Sequence, residues 1–481
     1  MCHCHAGFPS ILFRDDSHDT SEPNSVARIE GSGPETVECP VPPALQTMAP
    51  DRIFWSHFSP NLAPAAWVIG VLVVSLGLSG WRAFVVVLAG NVLGALPVAA
   101  CAAMGPDTGL PQMEASRFSF GSTGKRLPAL INWVNCIGWD AVNNVPSAVA
   151  LILLARIGGI EVPFWLAMAA LALAQLLASA AGHDTVQTIE KYLGWILLAA
   201  FAFSGWMAVT HRPQGGPAAM PQPADAAHIL LALGATSSFT LAWTAYASDY
   251  TRYVSRHTGR GKVFALTFGG IFSSAMLMES FGLLTGAMIA SPSPESVILS
   301  LQTWMGPLAP VALAAIALSS IAINAANDNT AAYALISAGS RIPRPLSAVL
   351  TAGLAYMLAV MGEGRFTTLY ENALLMALYW IAPWCGIVLT DWYARPPCLQ
   401  QGRMTTPPGW SPSATLFVAV TGITILMFSS TPLYTSPVAH MLQGADIGYL
   451  VGFALAAGGQ YLILRQQAHR SRPTSTKADQ T

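Results

Sequence analysis

Between about residue 58 and residue 465 the sequence is a succession of apolar runs, with its charges gathered in the gaps between them. Each run is close to the length, roughly 20 residues, that a helix needs to cross the hydrocarbon core of a bilayer. In lipid every backbone polar group must be satisfied without water, so repeated runs of this length call for a helical bundle. Composition agrees. Charged residues make up 10% of the chain and hydrophobic residues 53%, whereas a soluble chain carries about a quarter charged residues. Mean hydropathy is +0.49. The fold class read from this is an all-α polytopic membrane protein with the lipid bilayer as its solvent.

Hydropathy divides the chain into about twelve spans. They lie near 58–79, 82–104, 127–155, 162–181, 191–210, 228–247, 263–290, 307–325 with a polar continuation to about 340, 345–361, 368–391, 413–430 and 446–465. With an inward N-terminus, cytoplasmic loops hold Arg117, Lys125, Arg126, Lys191, Arg252, Arg256, Arg260, Lys262, Arg341, Arg344, Arg395 and Arg403, and external loops hold Arg82, Arg156, Arg212 and Arg365. That asymmetry is the positive-inside bias, and it places both termini in the cytoplasm, with the cell (plasma) membrane as the expected location. Residues 1–50 and 466–481 are polar, lack helical periodicity and read as solvated cytoplasmic tails. Nothing in residues 1–50 resembles a signal peptide.

Net charge is −1, which gives no bulk affinity for nucleic acid. Cys101, Cys136 and Cys385 fall in apolar spans and read as small hydrophobes. Cys2, Cys4 and Cys39 lie in the polar N-terminal stretch, and no disulfide framework is implied. The opening Met-Cys-His-Cys-His holds incidental metal ligands. There is no HExxH and no P-loop, and His183 and His211 sit near span ends, so an enzyme lacks its usual residues and no metal or cofactor is expected.

Polar side chains inside a bilayer are costly unless they face protein or water, so they mark candidate sites. The third span carries Asn132, Asn135, Trp139, Asp140, Asn143, Asn144 and Ser147. Spacings of three and four put Asn132, Asn135, Trp139 and Asn143 on one face. Trp139 and Asn143, one turn apart, offer a flat apolar surface beside an amide, which suits a flat heteroaromatic ring; bonding between helices is the other reading of the stripe. Ala235–Tyr253 begins apolar and turns dense in hydroxyls and aromatics, as a helix broken at membrane depth near Trp243 would. The first span has a weak point at Ser59, Pro60, Asn61 and Pro64, then Gly70. The eighth carries Ser319, Ser320, Asn324, Asn327, Asp328, Asn329 and Thr330, too polar for a lipid-facing helix and expected to line a cavity. Weak spans one and six, and polar spans three and eight, are each five helices apart, the pattern of two inverted five-helix repeats with a midplane site.

At these residues the sequence resembles the nucleobase–cation symporter-1 family, particularly its purine-cytosine permease branch, over about residues 55–400. The resemblance rests on Gly105–Phe120 (GPDTGLPQMEASRFSF), Gly138–Asn143 (GWDAVN), Trp243–Tyr253 (WTAYASDYTRY) and Tyr379–Trp384 (YWIAPW). It implies a leucine-transporter-like core over 51–400, with repeats of about 55–210 and 228–391, and two peripheral helices within 401–465. It also implies a secondary transporter importing a nucleobase-like small molecule, cytosine or a purine foremost, by cation symport. Hydantoin, allantoin, uracil or a thiamine-type pyrimidine is the alternative cargo, and a non-transporting sensor or an intramembrane enzyme the alternative class. The ligand would lie between Trp139 and Trp243, with Asn143 and Asn327 on its edge and Asn61 and Gly70 at the family's spacing in helix one. Asn324 and Asn144 are secondary polar candidates. Sodium-coupled members place hydroxyls on helix eight, where alignment on Asn327 puts Ile321 and Ala322 or Ala325 and Ala326. A proton is therefore the expected coupling ion, with Asp140, Glu279 or Asp328 as its carrier. Asp249 belongs to a cytoplasmic helix end, and Glu371 and Asp391 to helix ends or packing. The sequence sets no oligomeric state, a monomer being one option.

Overall fold

The computed structural model describes residues 35–180, 183–210, 224–431 and 434–470. Every expected span contains a helix. In chain order these are Pro64–Ser75, Gly80–Ala102, Arg126–Ile157, Phe164–Ala180, His183–Thr210, Ala226–Leu241, Arg260–Thr285, Ala309–Ser337, Arg344–Met361, Phe366–Tyr393, Pro412–Ile423 and Gly448–Arg470. Among the described residues, eight continuous helical segments are long and apolar enough to cross a membrane, and a bent pair, Asp51–Asn61 with Pro64–Ser75, makes a ninth. The chain is a multi-pass integral membrane protein.

The bend in the first span follows from its prolines. Pro64 opens the second half at a position where its missing N–H costs nothing, and it pushes the preceding residue out of the α region. Ala63 is accordingly extended, at φ −118° and ψ 150°. The two halves meet at 58°, and Ser59–Asn61 form a 3-10 turn on the near side. Gly70 takes no part in this: the helix Pro64–Ser75 runs through it unbroken. A Cβ there would come within 2.1 Å of the Glu279 carbonyl oxygen and 2.7 Å of the Gly282 Cα. Gly70 is thus the small residue that lets the first and seventh spans touch backbone to backbone.

The sixth span departs from expectation in a milder way. It passes from α-helix through a 3-10 stretch, Ala242–Tyr246, into one more α turn, Ala247–Thr251. The helix is tightened at membrane depth rather than interrupted. The second span packs along it, with Gly94 so close that a Cβ would stand 1.9 Å from Thr240 Oγ1. The third and eighth spans lie against each other and are joined by side-chain amides. What began as a polar continuation past residue 325 is the buried second half of a single helix, Ala309–Ser337.

Three features lie between spans. Short helices at Gly105–Thr108, Gln112–Ala115 and Arg117–Gly124 fill the loop after the second span. Glu114 among them is fully enclosed and paired with Lys125 at 2.5 Å and Arg117 at 2.9 Å. An amphipathic helix, Pro294–Met305, precedes the eighth span and buries Val297, Ile298, Leu301 and Trp304. A two-stranded antiparallel ribbon pairs Ser430 with Thr435 and Thr431 with Tyr434.

Residues 35–50, expected to be solvated, instead carry short helical turns and contacts to the bundle. Val37 and Val41 are buried, Met48 bridges Val254, and Gln46 Nε2 donates to the carbonyls of Pro106 and Arg252 at 3.0 Å each. A few apolar residues in a polar stretch suffice to dock it once loops offer free carbonyls. Cys2, Cys4 and the opening Met-Cys-His-Cys-His lie outside the described residues, as do His211, residues 471–481 and the side chains of His183 and Glu371.

Candidate functional site

The bend in the first span, the 3-10 stretch of the sixth and the polar faces of the third and eighth converge on one cavity. Its walls are aromatic: Trp139 on the third span, and Phe239, Trp243, Tyr246 and Tyr250 on the sixth. Three amides, Asn61, Asn143 and Asn327, and the Thr330 hydroxyl join the tyrosine hydroxyls and indole N–H groups of those walls as its polar groups. No ionisable carboxyl, amine or imidazole is among its lining residues. The lining is aromatic and uncharged with a few fixed amides, surfaces that can stack a planar group and hydrogen-bond its edge.

Each amide is held by a local cause. Asn61 Nδ2 donates to the His57 carbonyl one turn back at 2.7 Å, and its Oδ1 is buried without a partner. Asn143 Nδ2 donates to Asn324 Oδ1 at 2.9 Å, and Asn324 Nδ2 donates to the Asp140 carbonyl at 3.1 Å. Asn327 Nδ2 donates to Asp140 Oδ1 at 2.7 Å and to the Cys136 carbonyl at 2.8 Å. Trp139 meets Phe239 edge-on at 6.0 Å, and Trp243 meets Tyr246 edge-on at 6.1 Å. Such contacts fix the ring orientations.

Five of the expected ligand residues, Trp139, Asn143, Trp243, Asn327 and Asn61, therefore line one cavity, and Gly70 does not. The secondary candidates stand one layer back. Asn324 orients Asn143, while Asn144 Nδ2 donates to Gln175 Oε1 at 3.1 Å on the side facing the fourth span. Of the expected stripe, Asn135 donates to the Tyr246 hydroxyl at 2.8 Å, and both side-chain polar atoms of Asn132 are buried without partners.

The three carboxyl candidates separate into two places. Asp140 and Asp328 are buried together behind the cavity wall, joined by Gln175, whose Nε2 lies 2.9 Å from an oxygen of each. Among the described residues no Lys, Arg or His pairs with either. Glu279 is elsewhere, buried between the second and seventh spans, where Asn91 donates to it at 2.6 Å. It is packed behind the first span, beside Gly70, and does not reach the cavity. Gln175 was not anticipated, although a lone amide in the apolar run of the fourth span was a legible signal. Asp249 lies within the short helix Ala247–Thr251, buried, accepting from the Gln112 N–H at 2.8 Å and from Thr330 Oγ1 at 2.9 Å.

Two further cavities adjoin the first. One, of about 450 Å³, shares Pro60, Ala63, Asn143 and Ile323 with it and adds Ser59, Ser147, Ser319 and Ser320. Hydroxyls of the eighth span thus do face the bend of the first, at Ser319 and Ser320, N-terminal to both pairs of positions the alignments gave. The other, of about 240 Å³, shares Tyr250 and Thr330 and continues past Asp249 to Tyr333, toward the loop ends that carry Arg252 and Arg344.

Residues 40–452 match the profile of the family described as permease for cytosine/purines, uracil, thiamine, allantoin. The chain is 28% identical over 441 residues to purine-cytosine permease fcyB of Emericella nidulans, covering 84% of this chain and 82% of that one. It is 25% identical over 338 residues to the vitamin B6 transporter TPN1 of Saccharomyces cerevisiae, covering 66% and 57%. Its fold is that of Mhp1, a nucleobase-cation-symport-1 family transporter solved in a closed conformation with bromovinylhydantoin bound, at a TM-score of 0.71 and 14% identity, covering 92% of this chain and 97% of that one. With a family match over most of its length, a shared fold and a cavity at the helix bend, the chain belongs to this family of permeases and is a membrane transporter, not an enzyme.

Proposed function

We propose that the protein imports a nucleobase-like heterocycle, cytosine or a purine, by proton symport across the plasma membrane, with both termini in the cytoplasm. The observation that carries the cargo is the pairing of Trp139 and Trp243 with Asn143 and Asn327 around one uncharged cavity. Indole faces provide stacking for a planar ring, and amides provide hydrogen bonds for its edge. Ring edges that leave those amides unmet are penalised, which is the source of selectivity.

Alternating access follows from where the cavity lies. It sits at the bend of the first span, where two half-helices at 58° can shift against the third and eighth. A ligand bridging both sides favours the arrangement in which the walls are closest, and release follows when they part.

The proton reading is supported by Asp140 and Asp328. Burying two negative charges together without a cation is expensive, so a proton is the charge this pair is suited to carry, and Asn327 links it to the cavity wall. A second reading, sodium symport, is favoured by Ser319 and Ser320 beside the bend of the first span. Uptake of labelled cytosine by proteoliposomes under separate proton and sodium gradients decides between them. Accumulation that follows the proton gradient supports the proposal. Accumulation that follows sodium alone overturns the coupling ion, and binding without exchange overturns transport of that cargo.

A further inference from the structure

The hydrogen bonds around Asp140 determine more than a place for a proton. Asn327 has two amide hydrogens, and both are spent inside the wall, one on Asp140 Oδ1 and one on the Cys136 carbonyl. Its oxygen is the only polar side-chain atom it has left for the cavity. The Asp140 backbone acts on a second amide. Its carbonyl accepts from Asn324, which turns Asn324 Oδ1 toward Asn143 and draws the Asn143 amide nitrogen away with it. Asn61 likewise gives its nitrogen to His57 and keeps an unpartnered, buried Oδ1. Thr330 donates its hydroxyl proton to Asp249, so its oxygen too is left to accept. At Asn327 and Thr330 the wall therefore turns an acceptor oxygen to the cavity, although an amide or a hydroxyl taken alone could present either function.

We infer that Asp140, which does not reach the cavity, is a positioning residue that sets the cavity's donor–acceptor polarity, and that the site takes heterocycles through an N–H-rich, amino-bearing edge in preference to an oxo edge. The inference rests on the proposed cargo class and deepens it. An amino group places donors where the wall offers oxygens. The matching oxo compound places acceptor against acceptor, leaving two buried oxygens unpaired and mutually repelling. Cytosine and adenine are the amino members of two nearly isosteric pairs, uracil and hypoxanthine the oxo members. Ring size and stacking area are almost constant within each pair, so the comparison isolates edge polarity.

The test is counterflow in proteoliposomes loaded with an exchanging substrate, with each member of the two pairs as competitor. In the unaltered protein the amino member is expected to compete at a concentration at least about tenfold lower than its oxo partner. Equal or better competition by uracil and hypoxanthine overturns the inference while leaving a nucleobase transporter in place. No exchange with any of the four overturns the proposed cargo, and this inference with it. Asp140→Leu removes one of the two acceptors that hold Asn327, so the amino-over-oxo ratio is expected to fall severalfold. General damage to the fold would weaken both members alike and leave the ratio standing. Asn327→Ser, which withdraws the oxygen itself, is the second variant. The ratio falls there too. An unchanged ratio in Asp140→Leu overturns the role given to Asp140, and an unchanged ratio in Asn327→Ser overturns the role given to the Asn327 oxygen.

Discussion

Asn327 Nδ2 donates to Asp140 Oδ1 at 2.7 Å, so a side chain on the cavity wall is bonded directly to a carboxyl that the cavity does not reach. The same carboxyl meets Asp328 through the single amide of Gln175. A change of charge on this pair is felt by the groups that line the cavity without any long relay.

The first prediction concerns that pair. Asp328→Asn keeps the volume and the bond to Gln175 and removes a titratable group. Substrate accumulation driven by an inward proton gradient is expected to fall roughly tenfold or more, while counterflow exchange at equal pH persists. Measuring both on one reconstituted sample separates coupling from binding. Unchanged proton-driven accumulation in Asp328→Asn and in Asp140→Asn would remove the pair from the mechanism.

The second concerns the aromatic walls. Stacking of a base on an aromatic ring contributes about 1–3 kcal/mol by alanine substitution. Trp139→Ala and Trp243→Ala should therefore weaken substrate affinity by about ten- to a hundredfold, enough to reduce uptake at low substrate to background. Asn143→Ala should abolish uptake as well, by deleting an edge contact and leaving Asn324 Oδ1 without its donor. Each variant should still reach the membrane in wild-type amount. Normal uptake by any of the three would refute its assignment.

Trp139, Asn143 and Trp243 were legible because pattern reports helix faces and breaks, whereas the choice of Asn61 and Asn327 among their polar neighbours came from the family resemblance. Trp139 and Asn143 are four apart. Pattern does not report what a face is turned toward. Asp140, next to Trp139 in sequence, points about a quarter-turn away, to the fourth span. Glu279 carries the same polar signal as Asp328 and ends between the second and seventh spans. Gly70 fits a helix break and fits a close helix contact equally well, and only the partner, Gly282, distinguishes the two. Ser319 and Ser320 were visible as hydroxyls, but which turn of the eighth span faces the bend depends on helix rotation, and no single sequence fixes that.

The third prediction follows from the buried ion cluster in the loop after the second span. Glu114 is fully enclosed and holds Lys125 and Arg117. Removing Lys125 leaves the enclosed Glu114 with Arg117 alone, a cost below the roughly 3–5 kcal/mol of a fully uncompensated buried charge. Lys125→Met should therefore lower the thermal midpoint of the detergent-purified protein, and the double variant with Glu114→Leu should recover part of the loss. A double variant worse than both single ones would show that the cluster's value lies elsewhere.

The fourth prediction turns on Gly70, and it separates packing from binding. A methyl group at residue 70 would stand 2.1 Å from the Glu279 carbonyl oxygen, and one at residue 282 would stand 2.5 Å from the Gly70 Cα. Both obstacles are backbone, which cannot swing aside as a side chain can. Gly70→Ala and Gly282→Ala should each force the first and seventh spans apart and cost about 1–3 kcal/mol of stability. The protein that remains folded should keep a near-normal KM, because neither position lines the cavity. Thermal stability and the KM of the folded fraction, measured on the same preparation, distinguish the two roles. If Gly70→Ala left stability unchanged and raised KM tenfold, Gly70 would have to be returned to the binding site. Agreement of the two glycine variants would instead tie the bend of the first span to its contact with the seventh, since motion of that half-helix must either carry the seventh span along or break the contact at Gly70.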